Sequence, residues 1–354
     1  MMQARDIYSS AGSRVPIRVL VMLLLCMAES VSAFSLRADL VADYYDRPGN
    51  VQAREHVPFL DGHNAVHQRL TQESLECDKP EGACHGLKAQ GITVGAVMDG
   101  VRWNDFPAVW LDRQSAPWCT GRTLRVTEVN DISCIVGSLV RAVKNSEKFA
   151  TNQKWAFERP ISMRGHFGDL QFWHAMAPLD QPARETYRRI RMWMEFAYRA
   201  SLGEFDLMSD MYAVPVPGMK QFFLRGSRKV GDLLDYHYNS KKLLTQGIAL
   251  GQMLHIAQDS FARCHVERDG EGRVVRFLSY GHQDRGKHAH FDEDDKAVEA
   301  ATSGRLNPVD FGRRLLKLRA AGEPWMAVEP LVVEYFEPRG GDMPAATGEA
   351  CPKN

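Results

Sequence analysis

Apolar residues recur at three- and four-residue spacing from Asn64 to Leu75, Ile132 to Val143, Pro182 to Ser201, Lys241 to Arg263, Asp292 to Thr302 and Pro308 to Ala321. That period places the apolar side chains on one face of a helix, so each stretch is predicted helical. Runs that alternate as strands do are few and short, and the pattern predicts an all-α fold. Between Cys77 and Arg164 the period breaks down: Pro, Gly and Trp are scattered through it, which predicts long loops wrapped over the helices. The irregular part is read as an insertion over about 106–165. From Glu337 onward Pro338, Gly340, Gly341, Pro344 and Gly348 predict a flexible tail over 337–354. No internal repeat or low-complexity tract interrupts the body over 34–336, which reads as a single helical domain.

The first stretch stands apart from that body. Arg5, Arg14 and Arg18 precede an apolar run from Val19 to Ala28, followed by Val31-Ser32-Ala33, the small-residue pattern of a signal-peptide cleavage site. The run is too short to span a bilayer. The expectation is therefore a leader over 1–33, cleavage near Ala33 and a secreted or periplasmic mature chain. Cys26 follows Leu23, Leu24 and Leu25 and lacks the small residue expected before a lipidated cysteine. An oxidising destination suits the other cysteines, Cys77, Cys84, Cys119, Cys134, Cys264 and Cys351. Pairing of Cys77 with Cys84 and of Cys119 with Cys134 closes short loops; the sequence leaves the other connectivities open.

Charge narrows the function little. Basic and acidic residues balance at 44 each, so no global field draws in a polyanion. A local stripe of Arg184, Arg188 and Arg191 runs beside Tyr187, Trp193 and Phe196 on the helix predicted over Pro182 to Ser201, and reads first as a solvated face over a core stripe.

The candidate chemistry lies in the histidines. His255 and Asp259 stand one turn apart at the end of the predicted helix from Lys241, and His265 follows as that helix runs out. Next comes Tyr280-Gly281-His282-Gln283-Asp284-Arg285-Gly286-Lys287-His288-Ala289-His290-Phe291-Asp292, dense in His and Asp and without an obvious packing role. Upstream are Asp61-Gly62-His63-Asn64-Ala65-Val66-His67, Trp103-Asn104-Asp105, and Gly165-His166-Phe167-Gly168-Asp169-Leu170-Gln171-Phe172-Trp173-His174. Imidazole and carboxylate at such spacing can share a metal ion.

The element H-x-x-x-D-x-x-x-x-x-H of His255, Asp259 and His265, with His288 and Asp292 after it, resembles the zinc-dependent phospholipase C and single-strand-specific nuclease superfamily. An early Gly-His-x-x-Val, then Trp-x-Asp, then an aromatic-flanked histidine occur in a similar order, and the resemblance runs from His63 to Asp292. It implies an exported all-helical fold carrying two or three zinc ions. One zinc would take Asp105, His174, His255 and Asp259; a second His265, His288 and Asp292; a third would share Asp259 and use His63, with His67 the competing choice. Asp169 is a candidate partner that fixes an imidazole tautomer. The family completes its third site with a mature N-terminal amino group, whereas Phe34 lies far upstream of His63; Arg263 stands where its phospholipases carry proline.

The resemblance implies phosphoester hydrolysis by metal-activated water, with Asp105 or Asp169 orienting it. The expected substrate is a phospholipid or another phosphodiester, met through peripheral contact with a membrane surface. A single-strand nuclease is the first alternative, with Trp103, Trp110, Trp118, Trp173 and Trp193 as candidate stacking platforms. A non-catalytic zinc-binding or interaction protein on the same scaffold is the second. An open site favours the enzymes, and a sealed cluster favours the binder.

Overall fold

Residues 66–78, 84–87, 91–105, 159–235, 242–284 and 302–339 are described by the computed structural model, with shorter stretches at 107, 109–112, 141, 287–288, 291, 299–300, 341–348 and 351. The expected leader, the helix over Ile132 to Val143 apart from Arg141, most of that over Asp292 to Thr302, the Cys119–Cys134 pairing, His63 and Asp292 lie outside these residues.

The described part is mainly helical, as the period predicted. Its principal helices are α1 (Val66–Ser74), α2 (Val94–Trp103), α3 (Ile161–Phe167), α4 (Ala183–Ser201), α5 (Lys242–Asp259), α6 (Pro308–Ala320) and α7 (Trp325–Phe336). One small sheet, β1 (Val266–Arg268) antiparallel to β2 (Val274–Phe277), pairs Val266 with Phe277. Among the described residues no helix is long and apolar enough to cross a membrane.

At the centre α5 packs along α2, α4 and α6. Its contact with α2 is backbone on backbone. A Cβ at Gly251 would strike the Val97 carbonyl, one at Gly100 would strike the Ile248 carbonyl, and one at Gly247 would lie 2.5 Å from the Ala96 side chain. Only glycine permits this approach, and it brings Asp105, just past the end of α2, beside His255, one turn beyond Gly251. Helix α2 falls in the region predicted irregular, a correction: Thr93 caps it by accepting a hydrogen bond from the Ala96 amide at 3.2 Å, and its residues from Gly95 to Trp103 are all buried. A similar device seats α1 on α6, where a Cβ at Gly312 would lie 2.5 Å from Ser74 Oγ.

Helix α4 buries Thr186, Ile190, Trp193, Ala197 and Ser201, the stripe its period predicted. Its arginines are balanced locally: Arg188 and Arg189 both engage Glu185, and Arg191 reaches Glu329 on α7. Trp103, Trp173 and Trp193 are fully buried. The edge contact of Trp103 with Trp173, centroids 5.1 Å apart, clamps the two segments that carry Asp105 and His174.

The expected flexible tail is a second correction. Residues 343–346 are stitched to the body: the Ala183 amide donates to Met343, Ala345 exchanges backbone bonds with Asp180 and Gln181, and the Ser279 amide donates to Ala346. Cys351 is disulfide-bonded to Cys264, a pairing left open by the sequence, while Cys77–Cys84 forms as expected. Glycine and proline are irregular-backbone formers, and here the irregular backbone is held by partners distant in sequence.

Candidate metal centre

Six histidines and two aspartates converge where α1, α2, α3, α5 and the turn over Gln171–His174 meet. His67, Asp105, His166, His174, His255, Asp259, His265 and His288 are each at most 3 % exposed. Three groups among them have ligand atoms all within 4.8 Å of one another: His67, Asp105 and His255; Asp105, His166 and His174; and His174, His255 and Asp259.

Asp259 sits at the hub. Its Oδ2 lies 2.9 Å from His174 Nδ1 and 2.9 Å from His255 Nε2, while Oδ1 faces His67 Nε2 at 3.4 Å. Asp105 repeats the arrangement more loosely: Oδ1 is 3.6 Å from His174 Nδ1 and 3.8 Å from His255 Nε2, and Oδ2 is 3.8 Å from His67 Nε2. The Asn104 amide donates to the carbonyl of Trp173 at 2.8 Å, tying the end of α2 to the His174 turn.

A second pair lies beyond. The hairpin β1–β2 turns the chain back after His265, and the Leu278 amide donates to the His265 carbonyl at 2.8 Å. His265 Nε2 thereby faces His288 Nε2 at 3.1 Å. His265 Nδ1 donates to the His174 carbonyl at 2.6 Å, a carbonyl positioned by Ala175, which adopts the left-handed conformation at φ 50°. That conformation costs a residue with a Cβ roughly 1–2 kcal/mol, strain of the kind functional sites hold. The Gln283 amide nitrogen donates to the carbonyls of Cys264 (2.6 Å) and Thr347 (3.0 Å), so its oxygen is the acceptor for His288 Nδ1 at 2.6 Å. With both Nδ1 atoms donating, each Nε2 offers a lone pair, and two lone pairs opposed at 3.1 Å repel unless a cation lies between them.

The same logic holds at His67. Gln258 donates to Thr71 Oγ1 (2.9 Å), so its oxygen accepts from His67 Nδ1 at 2.6 Å, and His67 Nε2 faces two carboxylate oxygens. Burial pushes the imidazoles down, His174 and His255 to about 4 and His166 to about 3, with His265 and His288 also lowered. For Asp259, burial alone would raise the carboxyl, but the imidazoles of His255 and His265 and the hydrogen bonds from His174 and His255 hold it well below the usual range. Neutral imidazoles around the ionised carboxylate of Asp259, with Asp105 beside it and ring orientations fixed by outer oxygens, are a donor set that can hold a metal ion.

Of the residues predicted from sequence, Asp105, His174, His255, Asp259, His265 and His288 are brought together. His67, the competing choice to His63, is in the centre. Asp169 is not: its carboxylate takes Arg164 Nε at 2.9 Å and an Arg164 terminal nitrogen at 2.7 Å. The expectation that it orients an imidazole or a water is corrected, because both carboxylate oxygens are taken by the Arg164 guanidinium. Sequence reasoning missed His166 as a member, and Gln258, Gln283 and Asn104 as supports. The available signal was a polar amide beside a ligand in Gln258-Asp259 and Asn104-Asp105; Gln283 stands five residues before His288 and carried no such signal. No protein-family model, curated protein or solved structure matches this chain.

Proposed function

We propose that this chain is an exported, zinc-dependent phosphoester hydrolase of the phospholipase C and single-strand nuclease type, with two or three ions in its centre. The observation that supports the reading best is the two-sidedness of its carboxylates. Asp259 turns one oxygen to His174 and His255 and the other to His67, and Asp105 does the same. A lone structural ion needs one face of a carboxylate; bridging two neighbouring ions uses both. The imidazole-rich set suits zinc among divalent ions and disfavours magnesium and calcium.

Zinc bound there supplies Lewis acidity toward a phosphoryl oxygen and lowers the pKa of a coordinated water toward neutrality. The chain's part is to keep the histidines neutral by burial, to aim their lone pairs inward, and to set Asp105 where it accepts a proton or orients a nucleophile. A phospholipid or similar phosphodiester is the favoured substrate. The nuclease reading loses support because Trp103, Trp173 and Trp193 are core residues, and Arg188 and Arg191 are matched by glutamates. The non-catalytic reading keeps one: every described ligand candidate is almost fully buried.

Elemental analysis of the purified chain, beside Asp259→Asn, comes first, followed by assays on a chromogenic phosphodiester and phosphatidylcholine vesicles. Two or three zincs per chain with hydrolysis, both falling in the variant, is the expected result. Metal without hydrolysis of either substrate supports the binding protein instead, and a chain that takes up no zinc from buffer sinks both.

A further inference from the structure

We propose that His166 is a metal ligand, holding one ion together with Asp105 and His174; this rests on the metal-centre reading above. His166 lies outside the motif that carried that reading.

Its place is built from the buried end of α3. Asp112, on a helical turn over Val109–Asp112, accepts hydrogen bonds from the Ile161 and Ser162 amides and the Ser162 hydroxyl, anchoring the helix start. The carbonyl of Ser162 accepts from His166 Nδ1 at 2.9 Å. One ring nitrogen is therefore committed, and the tautomer leaves a lone pair on Nε2. That atom is buried and has no hydrogen-bond partner among the described residues. The ring packs against His174, centroids 4.6 Å apart, with Tyr280 edge-on at 6.3 Å. A ligand atom of His166 lies within 4.8 Å of one from Asp105 and one from His174.

A histidine serving only the core has both nitrogens satisfied or one exposed. Leaving a buried acceptor unmade costs about 1–3 kcal/mol, and a cation shared with Asp105 and His174 would offset that cost. Two imidazoles and one carboxylate make three protein ligands, which on zinc leaves a position for water or a phosphoryl oxygen.

The test titrates zinc into the chelator-stripped full-length chain against a chromophoric competitor, for the natural sequence, His166→Gln and His166→Ala. Loss of one ion's tight binding by roughly 100-fold or more in both variants, with the remaining ions retained, is expected. Equal stoichiometry and affinity in natural protein and variants overturns the assignment of His166 alone, whereas a natural chain that binds no zinc overturns the metal centre itself. If the variants do not fold, cobalt-substituted natural protein decides. The Nδ1 proton of His166, protected by Ser162, gives a paramagnetically shifted resonance if the ring is a ligand. A count of shifted imidazole protons accounted for without His166 removes it.

Discussion

Four histidines of the centre donate Nδ1 to an oxygen of the protein: His67 to Gln258, His166 to the Ser162 carbonyl, His265 to the His174 carbonyl and His288 to Gln283. The shared tautomer turns every Nε2 inward, and it depends on acceptors that are themselves held. Gln283 is the clearest case, since its amide bridges Cys264 and Thr347 while it accepts from His288. Gln283→Leu removes that acceptor and frees His288 to change tautomer; zinc affinity at the His265 and His288 pair is expected to fall 10–100-fold, read by competition titration, with the other ions kept. An unchanged affinity would show that the amide does not orient the ring. At this scale His255 and Asp259 were legible in the sequence, because i and i+4 on a helix fixes their side. The roles of Gln258 and Gln283 were not, because which end of an amide accepts depends on Thr71, Cys264 and Thr347, none of them a neighbour in sequence.

Elements position the ligands through close backbone approach. The glycines of α2 and α5 weaken each helix by up to about 1 kcal/mol per residue, which is why the stretch from Val94 to Trp103 read as irregular. Their use is the crossing at Gly100, Gly247 and Gly251, which sets Asp105 beside His255. Gly251→Ala is expected to destabilise by about 1–3 kcal/mol, although alanine is the better helix former, because its methyl meets the Val97 carbonyl. The same variant should bind zinc more weakly, since separating the helices moves His255 from Asp105. Denaturant melts beside zinc titration check both, and a Gly251→Ala protein as stable as its parent would refute the crossing. The terminal segment makes a related point: its prolines and glycines marked irregular backbone, while the Cys264–Cys351 bond and the Ala345 and Ala346 pairings make it a strap next to His265.

For the whole molecule, burial of so many titratable groups makes stability depend on pH. His174 and His255 titrate at about 4 and His166 at about 3 when folded, against about 6.5 unfolded. Below 6.5 the unfolded chain takes up protons that the folded chain refuses, so stability falls as pH drops from 6.5 toward 4. Asp112, pushed up to about 6 by burial, works the other way over its own window, one group against these three and the lowered His265 and His288. For these four groups the net slope is roughly 3 kcal/mol per pH unit near pH 5, at about 1.4 for each, and the lowered His265 and His288 add to it in the same sense. Denaturation of the chelated chain at pH 7, 6 and 5 should show steeply falling midpoints; a flat profile would mean that these rings are not buried neutral. Zinc bound as proposed would add stability by mass action at neutral pH, and its release as protons compete for the imidazoles would steepen the same fall.

By itself the sequence determined the helical class, the paths of α1, α4, α5 and α6, and the principal ligand candidates, because periodicity and the i to i+4 spacing are local properties carried by every chain that forms a helix. Only the tertiary structure decided the rest. It brought His67 and His166 into the centre and handed Asp169 to Arg164, paired Cys264 with Cys351, and turned a predicted tail into a strap. Each of these depends on which groups meet across tens or hundreds of residues, and those meetings follow from how closely helix backbones approach and from which buried polar atoms find partners, quantities that no single stretch of sequence contains.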